Sequence, residues 1–236
     1  MASVSSEYSQ HVDIVKQLKM SDSFYEAREP YKEGFEEIYS KAKEEKVSMS
    51  TAKDFLNSLS SGELSTLQHY TLLVNEVDVD SLSDEGAYNL LLHHYEKYDF
   101  DNDGFIQNGE GKSSELIPKN IPADEKQAFV NTLNEMDEHD RFIALAFTFP
   151  PKFEIEGLSI QNTTQTQTYD YKAILANIDR ILNPLPGEYR TPELLDVFRS
   201  FKESYEDNYN KIKEQKEMLS SNINNNTNIV KARMDS

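Results

Sequence analysis

Residues 84–110, DEGAYNLLLHHYEKYDFDNDGFIQNGE, join two patterns end to end. In the first, Ala87, Leu90, Leu91, Tyr95 and Tyr98 recur at intervals of three and four, the period of one face of a helix. Ser83 supplies a capping hydroxyl just ahead of it, and Asp84 and Glu85 put two acids at the positive end of the helix dipole. The spacing predicts an amphipathic helix that ends at Tyr98. In the second pattern, from Asp99 to Glu110, acids alternate with other residues and a glycine follows the third of them.

Such alternation crowds carboxylates onto one small loop, which their mutual repulsion disfavours unless a cation is shared. Calcium is a hard cation that takes about six to eight oxygens. A loop of about twelve residues supplies them from its first, third, fifth, seventh, ninth and twelfth positions, with glycine at the sixth for the sharp turn. Here Asp99, Asp101 and Asp103 offer carboxylates, Gly104 the left-handed turn, Phe105 its backbone carbonyl, Gln107 a direct or water-mediated contact, and Glu110 a bidentate closure. Glu115 is the alternative closing residue, because Gly109, Gly111 and Pro118 leave little length for a regular helix after the loop. Magnesium is the second ion that such oxygens accept.

This loop resembles that of the EF-hand family. The resemblance covers residues 84 to about 116 and implies a helix on each side of the loop, with Ile106 in a short backbone pairing between two neighbouring loops. No second loop is legible: 77–88, VDVDSLSDEGAY, holds Asp78 and Asp80 but has Leu82 and Ser83 where the third acid and the glycine belong. A single hand of this kind is expected to be a structural site, or to pair through a homodimer.

Outward from this stretch the chain alternates helical periods with short polar turns. Towards the N-terminus, Pro30 opens a helix that carries Phe35, Ile38, Tyr39 and Ala42 to about Glu45. Ser50 caps a second with Ala52, Phe55, Leu56 and Leu59, and Ser60, Ser61 and Gly62 separate it from a third with Leu64, Leu67 and Leu72. Towards the C-terminus, 123–133 and 137–147 read as helices, the second apolar enough for burial, and Pro150-Pro151 ends it. FEIEGLSI, 153–160, reads as a short strand and QNTTQTQT, 161–168, as a linker. Tyr171 to Leu182 and Pro192 to about Asn222 then form a hairpin. The seam of its long helix, Leu194, Phe198, Phe201, Tyr205, Ile212 and Leu219, is interrupted by Asn208 and Gln215. The class is therefore mainly α: a multi-helix domain at 30–149 holding one EF-hand-like calcium loop, preceded by an N-terminal arm or short helix at 1–29. An irregular connection at 150–168, a C-terminal helical hairpin with one long helix at 169–222 and an Asn-rich disordered tail at 223–236 follow.

The 236 residues carry 24 Lys and Arg against 42 Asp and Glu, a formal charge of -18. That balance repels phosphates and anionic head groups, so neither nucleic acid nor a membrane is an expected partner, whereas a cation or a protein is. Cysteine is absent, which excludes disulfides, thiolate metal sites and thiol nucleophiles. The longest apolar run, Ile143 to Phe149, is too short to span a bilayer, and the start has no basic segment followed by an apolar stretch. A soluble, cytoplasmic protein is expected. Glu135 and His139, four apart, offer two ligands to a transition metal, which is too few for a site, and His93 and His94 point apart as neighbours on a helix. No phosphate loop, serine elbow or zinc-protease motif is present, so nothing supports an enzyme beyond the chance that carboxylates converge as in a hydrolase. Two functional expectations result. One is a calcium-binding helical protein whose structural ion accompanies protein-protein contacts. The other is a helical adaptor or chaperone whose long C-terminal helix binds a partner.

Overall fold

The computed structural model describes residues 6–149, 153–156, 159–162 and 168–234, of which 153–156, 159–162 and 222–234 are described by backbone alone. Pro150-Pro151 and most of the expected linker, 163–167, lie outside the described residues. The chain is mainly helical. Its contacts divide it into two compact units, 1–120 with 149–168 and 121–148 with 169–236, so the helices of 123–148 belong with the C-terminal hairpin rather than with the acidic loop.

In the first unit the helices are α1 (Ser6–Val15), α2 (Asp22–Glu26), α3 (Lys32–Glu44), α4 (Ala52–Asn57), α5 (Ser61–Tyr70) and α6 (Asp84–Leu90). Residues 1–29 thus contribute two helices, and Tyr8 ties α1 down by donating to the carbonyl of Glu96 at 2.8 Å. Capping sets several boundaries. Ser60 and Glu63 form a reciprocal capping box at the start of α5, and the Ser83 hydroxyl accepts the Gly86 N–H at α6. Thr51, rather than Ser50, precedes α4, its hydroxyl accepting the N–H of Ser48. Phe35, Ile38, Leu56, Leu67, Ala87 and Leu90 form the core. Tyr70 stacks on Phe35 with ring centroids 3.8 Å apart.

The helix expected to run to Tyr98 stops at Leu90. The apolar period continues, and Leu91, Leu92 and His93 are all buried, but the backbone turns back on Asn89 instead. The Asn89 side chain accepts the Tyr98 N–H at 3.2 Å and donates to the carbonyls of Tyr98 and Gln107 at 3.0 and 2.7 Å. Glu96 accepts the His93 N–H, closing the intervening turn. By satisfying three backbone groups, the Asn89 side chain offers the chain an alternative to further helical turns. After the loop, the implied second helix is replaced by an antiparallel pair, β1 (Ile106–Asn108) and β2 (Gly111–Ser113). Gly109, at φ 62, makes the turn between them. The expected single strand at 153–160 is a further hairpin, β3 (Phe153–Glu156) with β4 (Ser159–Asn162), which takes in the first two residues of the expected linker.

The second unit contains α7 (Ala123–Glu135), α8 (Glu138–Thr148), α9 (Tyr171–Leu182) and α10 (Pro192–Met234). Phe129, Leu133, Ile174, Ile178, Phe198, Phe201 and Tyr205 are buried in it. Asp170 caps α9 by accepting the Ala173 N–H. Asn208 is buried in the seam between α10 and α7, where its amide donates to the Thr132 hydroxyl at 3.2 Å and to the Glu135 carboxylate at 3.1 Å. Burial of α8 is less than its composition predicts: Ala144 and Thr148 are enclosed, while Phe142 and Phe147 are 70% and 51% exposed. The backbone of α10 stays helical to Met234 through the expected tail, there being neither proline nor glycine after Pro192 to stop it. Among the described residues, no helix is long and apolar enough to cross a membrane.

Candidate metal centre

The acidic loop is folded largely by its own carboxylates. Asp99 Oδ2 accepts the Gly104 N–H at 3.1 Å, Asp101 Oδ1 that of Asp103 at 3.0 Å, and Asp103 Oδ1 that of Phe105 at 2.9 Å. Gly104 takes the left-handed conformation at φ 89, as the turn requires, and Asn102 does so at φ 62.

Glu85 is the residue that sequence reasoning missed as part of this site. It stands in the first turn of α6 and is buried. Its Oε2 accepts the N–H groups of Phe100 and Asp101 at 2.8 and 3.0 Å, and its Oε1 accepts that of Gln107 at 2.8 Å. One carboxylate therefore clamps both ends of the loop. The approach is close because Gly86 has no side chain: a Cβ there would lie 2.2 Å from the Gly109 carbonyl oxygen, and the Gly109 N–H donates to the Gly86 carbonyl. Gly86 itself was only a weak signal: glycine permits such an approach, yet Gly62, also in a first helical turn, has only the Ser60 hydroxyl within 4 Å.

Glu85, Asp99 and Asp101 each place a carboxylate oxygen within 4.8 Å of the other two. Asp99 is 1% exposed, and its Oδ1 has no hydrogen-bond partner among the described residues. Two lysines offset part of the charge. Lys119 Nζ lies 3.1 Å from Asp99 Oδ2 and donates to the Asp99 carbonyl and to Asn102 Oδ1, while Lys112 Nζ lies 2.9 Å from Asp103 Oδ2. Burial pushes the Glu85 carboxyl up to about 7, opposed by the N–H groups it accepts and reinforced by Asp101 and Asp99. Burial likewise raises Asp99 above its ordinary value, against the pull of Lys119.

The other sequence candidates are distributed around this group. Asp103 bonds to Lys112 and the Phe105 N–H. Gln107 lies in β1, its side chain accepting the Ser83 hydroxyl at 2.5 Å and reaching Asp103 Oδ2 at 3.4 Å. Glu110 is at the exposed turn of the β1–β2 hairpin, where it accepts the Ser81 hydroxyl at 2.7 Å. Glu115 accepts the backbone N–H of Lys119, and so helps to position that lysine. Neither Glu110 nor Glu115 belongs to the grouped carboxylates. Elsewhere, His139 pairs with Glu193 and Glu135 accepts from Asn208, so these two do not converge. His93 packs against Phe35, Tyr39 and Tyr95, and His94 against Phe24 and Tyr95.

No family model, curated protein or solved structure matches the chain, so the chemistry of its own residues carries the functional reading.

Proposed function

We propose that this protein binds a divalent cation, calcium before magnesium, through Glu85, Asp99 and Asp101, and that the ion supports the fold of a helical protein that acts by protein-protein contacts. The observation that carries the reading is Asp99 Oδ1, a buried carboxylate oxygen without a hydrogen-bond partner among the described residues, beside two further carboxylates. Leaving such a group bare costs about 1–3 kcal/mol or more, and a hard cation is the ligand that relieves it. Charge supports the same reading: once Glu85 is ionised, Glu85, Asp99, Asp101 and Asp103 face Lys112 and Lys119, an excess of two negative charges that one divalent ion matches. Phe105 supplies a carbonyl in the loop pattern. Calcium is preferred because it tolerates irregular carboxylate sets, whereas magnesium demands regular octahedral geometry.

A structural role is favoured over a switching one. Glu85 and the β1–β2 hairpin already tie the loop at both ends, so a cation adds stability in proportion to RT ln(1 + [L]/Kd) without a new architecture. The seam of the long C-terminal helix, on which an adaptor would rely, is buried within its own unit from Phe198 to Tyr205.

The test is calorimetric titration of metal-free protein with calcium, followed by thermal unfolding, for the native chain and for Asp99→Asn. Submillimolar binding and a raised Tm, both lost in the variant, support the proposal. Absence of heat and of any Tm change up to millimolar calcium would sink it.

A further inference from the structure

The chain between α5 and the acidic loop leaves an open cleft that no side chain of the described residues fills. Helix α5 closes with Leu73 donating to the Gln68 carbonyl, which forces Leu72 into the left-handed region at φ 61. Glycine is the usual occupant of that position, so a branched side chain is held there at a conformational cost. Leu72 nevertheless points an apolar side chain outward, 47% exposed, and Val74 two residues on is 94% exposed. Leu73, Val77 and Leu82 line the same cleft, which has a volume of about 410 Å³. The tip of the β1–β2 hairpin, Glu110 and Gly111, completes it.

Two further features select an occupant. Val74 to Val77 make no hydrogen bond with the described residues, so four consecutive backbone units of a non-helical stretch stand open. The backbone bends at Val74 and Asn75, so these groups offer separate hydrogen bonds to a bound segment rather than the edge of a strand. The charged groups that line the cleft are all acidic, namely Glu76, Asp78 and Glu110. The nearby lysines are engaged elsewhere, Lys53 with the carbonyls of Asp80 and Leu82 and Lys112 with Asp103. A second copy of the chain, at a formal charge of -18, and an anionic membrane are both disfavoured by that rim.

We infer that this cleft is a docking surface for an extended, basic segment of a partner protein. The segment inserts one aliphatic side chain between Leu72 and Val74, hydrogen-bonds to open backbone groups of Val74–Val77, and sets its flanking lysines or arginines against Glu76, Asp78 and Glu110. The inference is independent of the cation reading, because none of the grouped carboxylates lines the cleft.

The full chain is titrated into fluorescein-labelled KRKVLVKRK and, in parallel, KRKSGSKRK, with anisotropy as the readout. The peptide with the Val-Leu-Val centre is expected to bind at least tenfold tighter. Val74→Ser, at an exposed position that the fold does not need, is expected to remove most of that difference, and Glu76→Gln to weaken both peptides. Amide exchange at residues 74–77 is expected to slow at least tenfold on binding. Equal affinity for the two peptides, or unprotected amides at 74–77, would mean that charge alone attracts the probe and would overturn the inference. So would binding to phosphatidylserine vesicles, or concentration-dependent dimerisation, that Val74→Ser abolishes.

Discussion

Lys119 Nζ and Asp99 Oδ2 lie 3.1 Å apart with both side chains largely enclosed, so the ammonium neutralises the carboxylate that also folds the acidic loop. A cation that binds Asp99 must do so beside a fixed positive charge. Lys119→Met is therefore expected to raise affinity for calcium by about tenfold, the effect of removing one partly buried like charge. Calorimetry on the native chain and the variant reads the difference directly. Unchanged affinity would show that Lys119 does not oppose the ion.

Glu85 satisfies three backbone N–H groups at once, which makes its replacement costly even without metal. Glu85→Gln turns an acceptor into a donor on one side and strands at least one buried N–H. A loss of about 1–3 kcal/mol in denaturant unfolding is expected, with faster amide exchange at Phe100, Asp101 or Gln107.

The same carboxyl gives the metal-free protein a defined pH response. Its folded value is raised to about 7 from 4.5, so between those values the native state holds a proton that the unfolded state has lost. Stability from this group is full below about pH 4.5 and declines as pH rises through about 7, by on the order of 3 kcal/mol. Thermal unfolding from pH 4.5 to 7.5 is expected to show the decline in the native chain and a shallower one in Glu85→Gln. Saturating calcium, which favours the ionised carboxyl, is expected to flatten it.

Gly86→Ala reverses the usual sign of a glycine-to-alanine change in a helix. Propensity alone would stabilise by about 1 kcal/mol. The added Cβ, however, would meet the Gly109 carbonyl oxygen at 2.2 Å, and that oxygen is backbone that cannot swing aside. A net loss of about 1–3 kcal/mol is expected, together with weaker cation binding, since the clash separates α6 from the hairpin.

Much of this architecture is legible in residue order. The three-and-four spacing of Phe35, Ile38 and Ala42, and of Ile174, Ile178 and Ile181, marks helices because each set lands on one buried face. Ser83 was readable as a cap for the same local reason. The end of α6 was not, because residues 91–98 retain a helical pattern, and the partners that turn the chain back on Asn89, the Tyr98 backbone and the Gln107 carbonyl, lie nine and eighteen residues away. Within the site, Asp99 and Asp101 were visible from their alternation. Glu85 was hidden because a first-turn acid already has an explanation in the helix dipole, and its role depends on a hairpin that closes more than twenty residues later. The exposure of Phe142 and Phe147 shows the limit of composition: it counts apolar residues on α8 without saying which neighbours reach them.

Asn208, satisfied by Thr132 and Glu135, has a further effect on the long helix. Apolar contacts such as those of Phe201 and Tyr205 set the alignment of two helices less sharply than a buried polar group does. A slip of one turn moves the amide by about 5.4 Å, strips it of both partners and sets a bare polar group among rings. Thr132 and Glu135 thus act as an index mark for α10: of the alignments that bury its aromatic side chains, they single out one.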